Sequence, residues 1–136
     1  MIVLMMLLVV ILLALVHRIH SVDIITTIAG TGSSSYSGDG GQATNAAFTT
    51  YGIVIDASGN VYFNDLFNYR VRKITVSTGI ISTYVGTGAG SYSGDGGQAT
   101  SASIYKPNGL CIDTSGMNII YKLGFATRYS DTLFSR

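Results

Sequence analysis

The chain has 136 residues, 47% of them apolar and only 11% charged, with a formal charge of +1. Its 17 glycines stand against one proline, one cysteine and no tryptophan, and all seven acidic residues are Asp. A single cysteine excludes a disulfide-stapled miniprotein, the lack of a glycine period excludes collagen, and low charge with nine tyrosines excludes a disordered chain. Asp and Gly favour tight turns, whereas the missing Glu is a helix former.

Residues 1–16 carry no polar side chain. As a helix they would span about 24 Å at about 1.5 Å per residue, short of a hydrocarbon core of roughly 30 Å. Residues 1–21 are therefore expected to be a secretory signal peptide or a short membrane anchor, with a hydrophobic helix in either case. An artefact of gene prediction is the remaining alternative. Export is the favoured reading, placing the protein outside the cell or on the outer face of a membrane. Membrane contact is expected only if residues 1–16 stay uncleaved. Without residues 1–21 the charges balance at seven bases and seven acids, since only Arg18 is lost. Nucleic acid is then excluded, because phosphate backbones are held by clustered Lys and Arg. The one basic cluster, Arg70, Arg72 and Lys73, is expected to be a solvated strand face.

A repeat comes next. At a shift of 56, residues 24–48 match residues 80–104 at 17 of 25 positions, with 35–44 and 91–100 identical. The match resumes at a shift of 57, with Gly52 and Asp56 against Gly109 and Asp113. Such periodicity marks arrays whose units bury their apolar faces against one another. Within one unit the expected strands are 53–55, 61–63, 70–74 and 80–85, separated by Gly/Asn/Asp/Ser turns. No sustained helical period follows residue 22, so the four strands are expected to be antiparallel.

Residues 52–56 (Gly-Ile-Val-Ile-Asp), 58–62 (Ser-Gly-Asn-Val-Tyr), Asp65 and 68–74 (Asn-Tyr-Arg-Val-Arg-Lys-Ile) resemble the NHL repeat, one blade of a β-propeller. The Gly-Thr-Gly and Tyr-Ser-Gly-Asp-Gly-Gly-Gln-Ala-Thr stretches are similar to the long-loop NHL repeats of extracellular proteins. The resemblance implies an all-β fold of antiparallel four-stranded blades across 22–136. Its parts are an orphan strand at 24–29, a complete blade at 52–85, a broken blade at 109–121 and a divergent tail at 122–136. A closed ring of four to eight such blades needs at least about 220 residues, so an incomplete propeller is expected. Truncation, or a frameshift near residue 118, would account for it; failure to form a stable protein is a third reading.

The function expected from the resemblance is a binding or protein-interaction scaffold for a protein or glycan ligand. The alternative is a piece of a propeller enzyme, lyase or esterase-like, with its catalytic residues in other blades. No catalytic residue is assigned: both histidines, His17 and His20, lie in or beside the leader, so neither a Ser-His-Asp triad nor a histidine zinc site assembles after residue 21. The Gly86, Gly88, Gly90 run lacks the third glycine of a dinucleotide loop and no helix follows it.

Asp39 with Gly40, and Asp95 with Gly96, are weak ligand-binding candidates. One carboxylate per loop makes a poor calcium site, so a tight turn is expected and no cofactor is assigned. Structural roles are expected for Asp56 and Asp113 as caps of the turn after the first strand, with Gly59 and Asn60 in that turn. Asp65, Asn68 and Arg70 are expected to form a charge-assisted network between blades. Cys111, at the place of Val54, is expected to be a small buried residue.

Overall fold

The computed structural model describes residues 24–112, 119–123 and 133–134. The leader, Asp113 and most of the tail lie outside the described residues. Among those described, no helix is long and apolar enough to cross a membrane.

Four strands form one antiparallel sheet in sequence order: β1 (Thr50–Ile55), β2 (Val61–Asp65), β3 (Arg70–Thr75) and β4 (Ile80–Val85). Short turns joining neighbours permit this up-and-down order without crossovers. Asp56 closes the β1–β2 turn by accepting the N–H groups of Ser58 and Asn60 at 2.9 and 2.8 Å. Its other oxygen receives Asn60 Nδ2 and the Tyr62 hydroxyl at 2.8 and 3.1 Å. Between Thr50 and Ile53 the β1–β2 ladder slips in a bulge. The N–H groups of Tyr51 and Gly52 are satisfied there by the buried Asn64 Oδ1, at 3.0 and 2.8 Å.

A second sheet holds β5 (Pro107–Ile112), β6 (Ile119–Leu123) and β7 (Leu133–Phe134), again antiparallel and in that order. It continues past Tyr121, beyond the expected boundary of the broken unit, because ladder pairing uses backbone groups that any sequence supplies. β5 repeats β1 at a shift of 57, including a bulge between Pro107 and Gly109. Cys111 pairs with Ile120 where Val54 pairs with Tyr62, so β6 repeats β2 at a shift of 58. That register puts Lys122 and Leu123 at the places of Asn64 and Asp65.

Two apolar clusters form the core. Ala43, Ala46, Phe63, Ile74 and Ile81 make the first, joined by Ala29, Phe48 and Val61. Val71, Val85 and Ile104 make the second, joined by Tyr84, Ala99 and Leu110. Val71 and Ile74 stand three apart on β3 and so face opposite sides of the sheet. One side is covered by the loop that precedes β1, the other by the loop and first strand of the second unit. Burying a side chain such as Phe63 contributes about 2 kcal/mol.

Residues 24–29 do not form the expected strand. They are extended without a ladder, and Ile25 is 99% exposed. A strand is defined by its neighbour, and no described strand lies beside this one. Cys111 is exposed rather than buried, because β5 is the first strand of its sheet and pairs only with β6.

Candidate functional site

The polar residues singled out in the sequence converge where the loop 33–48 meets β3 and β4. Two consecutive local turns shape that loop. Gly38 has φ +89°, and a Cβ there would lie 2.7 Å from the Ala46 backbone, so only glycine fits. Residues 43–45 add a short 3-10 turn. The loop then pairs with the sheet edge, Gly40 N–H donating to Ile81 O at 2.8 Å and Ile81 N–H to Gly41 O at 3.0 Å.

Asp39 is the pin of this joint. Its Oδ1 receives Arg72 at 2.6 Å, and its Oδ2 receives the Tyr36 hydroxyl at 2.9 Å and Thr83 N–H and hydroxyl at 3.0 and 2.5 Å. Burial pushes the Asp39 carboxyl up, but the hydrogen bonds of Thr83 and Tyr36 and the Arg72 charge outweigh it and hold it below the ordinary aspartate value. With a guanidinium on one oxygen and three donors on the other, the carboxylate has little negative field left for a calcium ion.

Arg72 overturns the expectation of a solvated basic face, since its side chain is 0% exposed. It reaches Ser37 O at 3.0 Å and Asp39 on one side and Asp65 Oδ2 at 3.5 Å on the other. A buried guanidinium needs such anionic company. Asp65 also receives Thr49 N–H at 3.1 Å and Asn68 Nδ2 at 2.8 Å. The anticipated trio of Asp65, Asn68 and Arg70 is therefore not the network that forms: Arg72 makes the ion pair, and Arg70 donates to main-chain oxygens of Asn68 and Thr87, each at 2.8 Å. The Arg70 guanidinium also lies 3.8 Å from the centre of the Tyr36 ring. Gly88 leaves room for it, because a Cβ there would run into the guanidinium. Arg70 thus ties the first sheet to the loop entering the second unit.

The duplicate loop has the same interior and a different exterior. Gly86 N–H donates to Ala99 O and Thr87 N–H to Ala102 O at 3.0 and 2.9 Å, as Gly30 does to Ala43 and Thr31 to Ala46, both at 2.9 Å. Asp95 receives the Tyr92 hydroxyl at 3.0 and 2.8 Å. Among the described residues no strand donates to Asp95, Gly96 or Gly97 as β4 does to the first loop. The sequence also lacks the arginine: Thr132 precedes Leu133 where Arg72 precedes Lys73, its counterpart by register. Gly59 and Asn60 lie in the β1–β2 turn; Asn60 Nδ2 binds Asp56, and its Oδ1 accepts Val76 N–H at 3.3 Å. The Asp56 carboxyl is pushed up by burial and drawn further down by donors from Asn60, Tyr62 and Ser58.

One end of the first sheet carries aromatic rings that sequence reasoning did not single out. Tyr51 and Phe67, exposed at 61% and 54%, meet edge to face at 6.0 Å. Tyr69, at a left-handed φ of 53°, stacks on Tyr105 at 5.6 Å and 17°. The signal was an aromatic on each side of the strand ends, visible in the sequence only as scattered Tyr and Phe.

No family model matches the chain, and no curated protein matches it. Among solved structures it is similar to a structural genomics protein of unknown function from Bacteroides thetaiotaomicron, at 25% identity and a TM-score of 0.58. The match covers 68% of this chain and 23% of that one, so this chain spans less than a quarter of that protein's length. Fold and comparison together define an all-β protein built on an antiparallel four-stranded sheet.

Proposed function

We propose that the chain is part of an NHL-like β-propeller that works as a binding scaffold, exported or held on the outer face of a membrane, with a protein or glycan as ligand. The support for blades is the placement of β5 against β1 and β2, which sets two successive units side by side through their first strands. The support for binding is the exposed aromatic end, Tyr51 with Phe67 and Tyr69 with Tyr105, because ring faces beside a rigid sheet are stacking platforms for sugars and peptide side chains. Asp39, Asp65 and Arg72 serve the joint between loop and sheet, so on this reading the protein acts by presenting a surface rather than by catalysis.

The test is to screen the chain against arrayed glycans and extracellular protein domains, and to repeat each hit with Phe67→Ala and Tyr105→Ala. A ligand of this end is expected to weaken by about tenfold or more for at least one variant, as aromatic anchors do. Hits indifferent to both substitutions, or no hits at all, would overturn the proposal.

A further inference from the structure

The repeat geometry points to self-association: residues 24–29 of one copy form the missing outer strand of the second sheet of another copy and fasten its 92–98 loop. The argument starts from a pair already docked inside this chain. β4 begins Ile80-Ile-Ser-Thr83 and receives the loop 36–42 through Ile81 and Thr83, with an added bridge from Gln42 to Ile80. Residues 24–27 read Ile-Ile-Thr-Thr, so Ile24, Ile25 and Thr27 stand where Ile80, Ile81 and Thr83 do. Residues 92–98 are identical to 36–42. Both halves of a second joint are therefore present, and both lie open: Ile24, Ile25 and Ile28 are 76%, 99% and 69% exposed, and Asp95, Gly96 and Gly97 are exposed as well.

The described sheet edge fits the same occupant. β7 is the last strand of the second sheet, and its residues Leu133 and Phe134 stand opposite Ile120 and Ile119 as Lys73 and Ile74 stand opposite Tyr62 and Val61. β4 pairs with β3 through Ser82 to Lys73 and Ile81 to Ile74, so the incoming segment would set Thr26 beside Leu133 and Ile25 beside Phe134. An open edge of this kind is a template for an added strand. Its hydrogen bonds would come from Gly96 N–H to Ile25 O, Ile25 N–H to Gly97 O, and Thr27 N–H and hydroxyl to Asp95.

The donor must be a second copy. Within one chain, Ala29 is packed into the first apolar cluster and the second unit into the other, and these clusters lie on opposite faces of the four-stranded sheet. The contact is head-to-tail, so each copy offers one donor and one acceptor, and chains of copies extend unless a ring closes. The inference needs only the docked joint and its open duplicate, not the ligand-binding role proposed above.

Site-directed disulfide formation tests it, using the full chain with exposed Cys111 replaced by Ser. One tagged pool carries Thr27→Cys, a differently tagged pool carries Asp95→Cys, and a control pool carries Ser58→Cys in place of Thr27→Cys. Mixed oxidation is expected to give the Thr27–Asp95 product at about tenfold or more over the Ser58 control, because docking raises effective concentration. Yields equal to the control would overturn the inference. Ile25→Pro removes the N–H offered to Gly97 at a residue without a ladder in its own chain. It is expected to bring cross-linking to the control level and to return the mass of the Cys111-bearing chain, read by sedimentation across a concentration series, to that of one copy. The urea midpoint of the first sheet should not move. Cross-linking undisturbed by Ile25→Pro, or a parent chain that sediments as one copy throughout, would refute it.

Discussion

Residues 35–44 and 91–100 share one sequence and one set of internal turns, yet they sit in different surroundings. The first is clamped by Arg72, Thr83 and the edge of β4, while the second ends in exposed glycines and a carboxylate held by Tyr92. The same contrast runs through the inner strands. Leu110 of β5 packs on the Val71, Val85 and Ile104 cluster, whereas its repeat mate Ile53 on β1 is 61% exposed. Local chemistry is therefore identical in both copies, and the difference in order of contacts comes from what stands beside each one. A repeat unit of this kind is complete only with its neighbours.

Four measurements break or sharpen that comparison. Arg72→Met should do the most damage, since it leaves Asp65 buried and Asp39 without its cation; a loss of about 3–5 kcal/mol in urea unfolding is expected. A cost below about 1 kcal/mol, the range of exposed pairs, would mean that Arg72 does not hold the loop to the sheet. Next comes the matched pair Asp39→Asn and Asp95→Asn in dilute solution. The first should cost about 1–3 kcal/mol through weakened charged hydrogen bonds, the second under about 0.5 kcal/mol, and equal costs would erase the distinction between the loops.

Acid provides a third probe. The Asp39 carboxyl is depressed in the folded protein, so its contribution is fully present above the unfolded aspartate pKa of about 3.9 and is lost as pH falls through the folded value. Hydrogen-exchange protection of the Thr83 N–H, referenced to its intrinsic rate, should fall in that acid window. Asp39→Asn should remove the acid-dependent step; a step that survives the substitution would place its origin elsewhere. The smallest effect is expected for Cys111→Val, which restores the residue of the first copy at an exposed site and should change stability by under about 0.5 kcal/mol. A thiol reagent should label Cys111 in the native chain, and protection from it would contradict the exposure.

Much of the sheet was legible because its signals are local. The four strands fall where apolar runs alternate with Asp/Gly/Asn turns, and only their ends moved, β1 starting at Thr50 and β2 running on to Asp65. Burial of Arg72 was not legible. Strand alternation puts Arg70, Arg72 and Ile74 on one side, and an open sheet would leave that side wet; here the loop 33–48 covers it and brings Asp39 from far along the chain. Cys111 misled for a related reason, since a position in a repeat predicts pairing partners more securely than what covers the strand.

The amino-acid sequence by itself determined the repeat, the strands and the turns, including the glycines at Gly38 and Gly94 with φ +89° and +96°. These rest on hydrogen bonds and steric limits spanning a few residues. Only the tertiary structure decided which duplicate is fastened. The fastening is made of Arg72, Thr83 and Ile81, more than thirty residues from Asp39 in the chain, and burial of a charge depends on every element that closes over it.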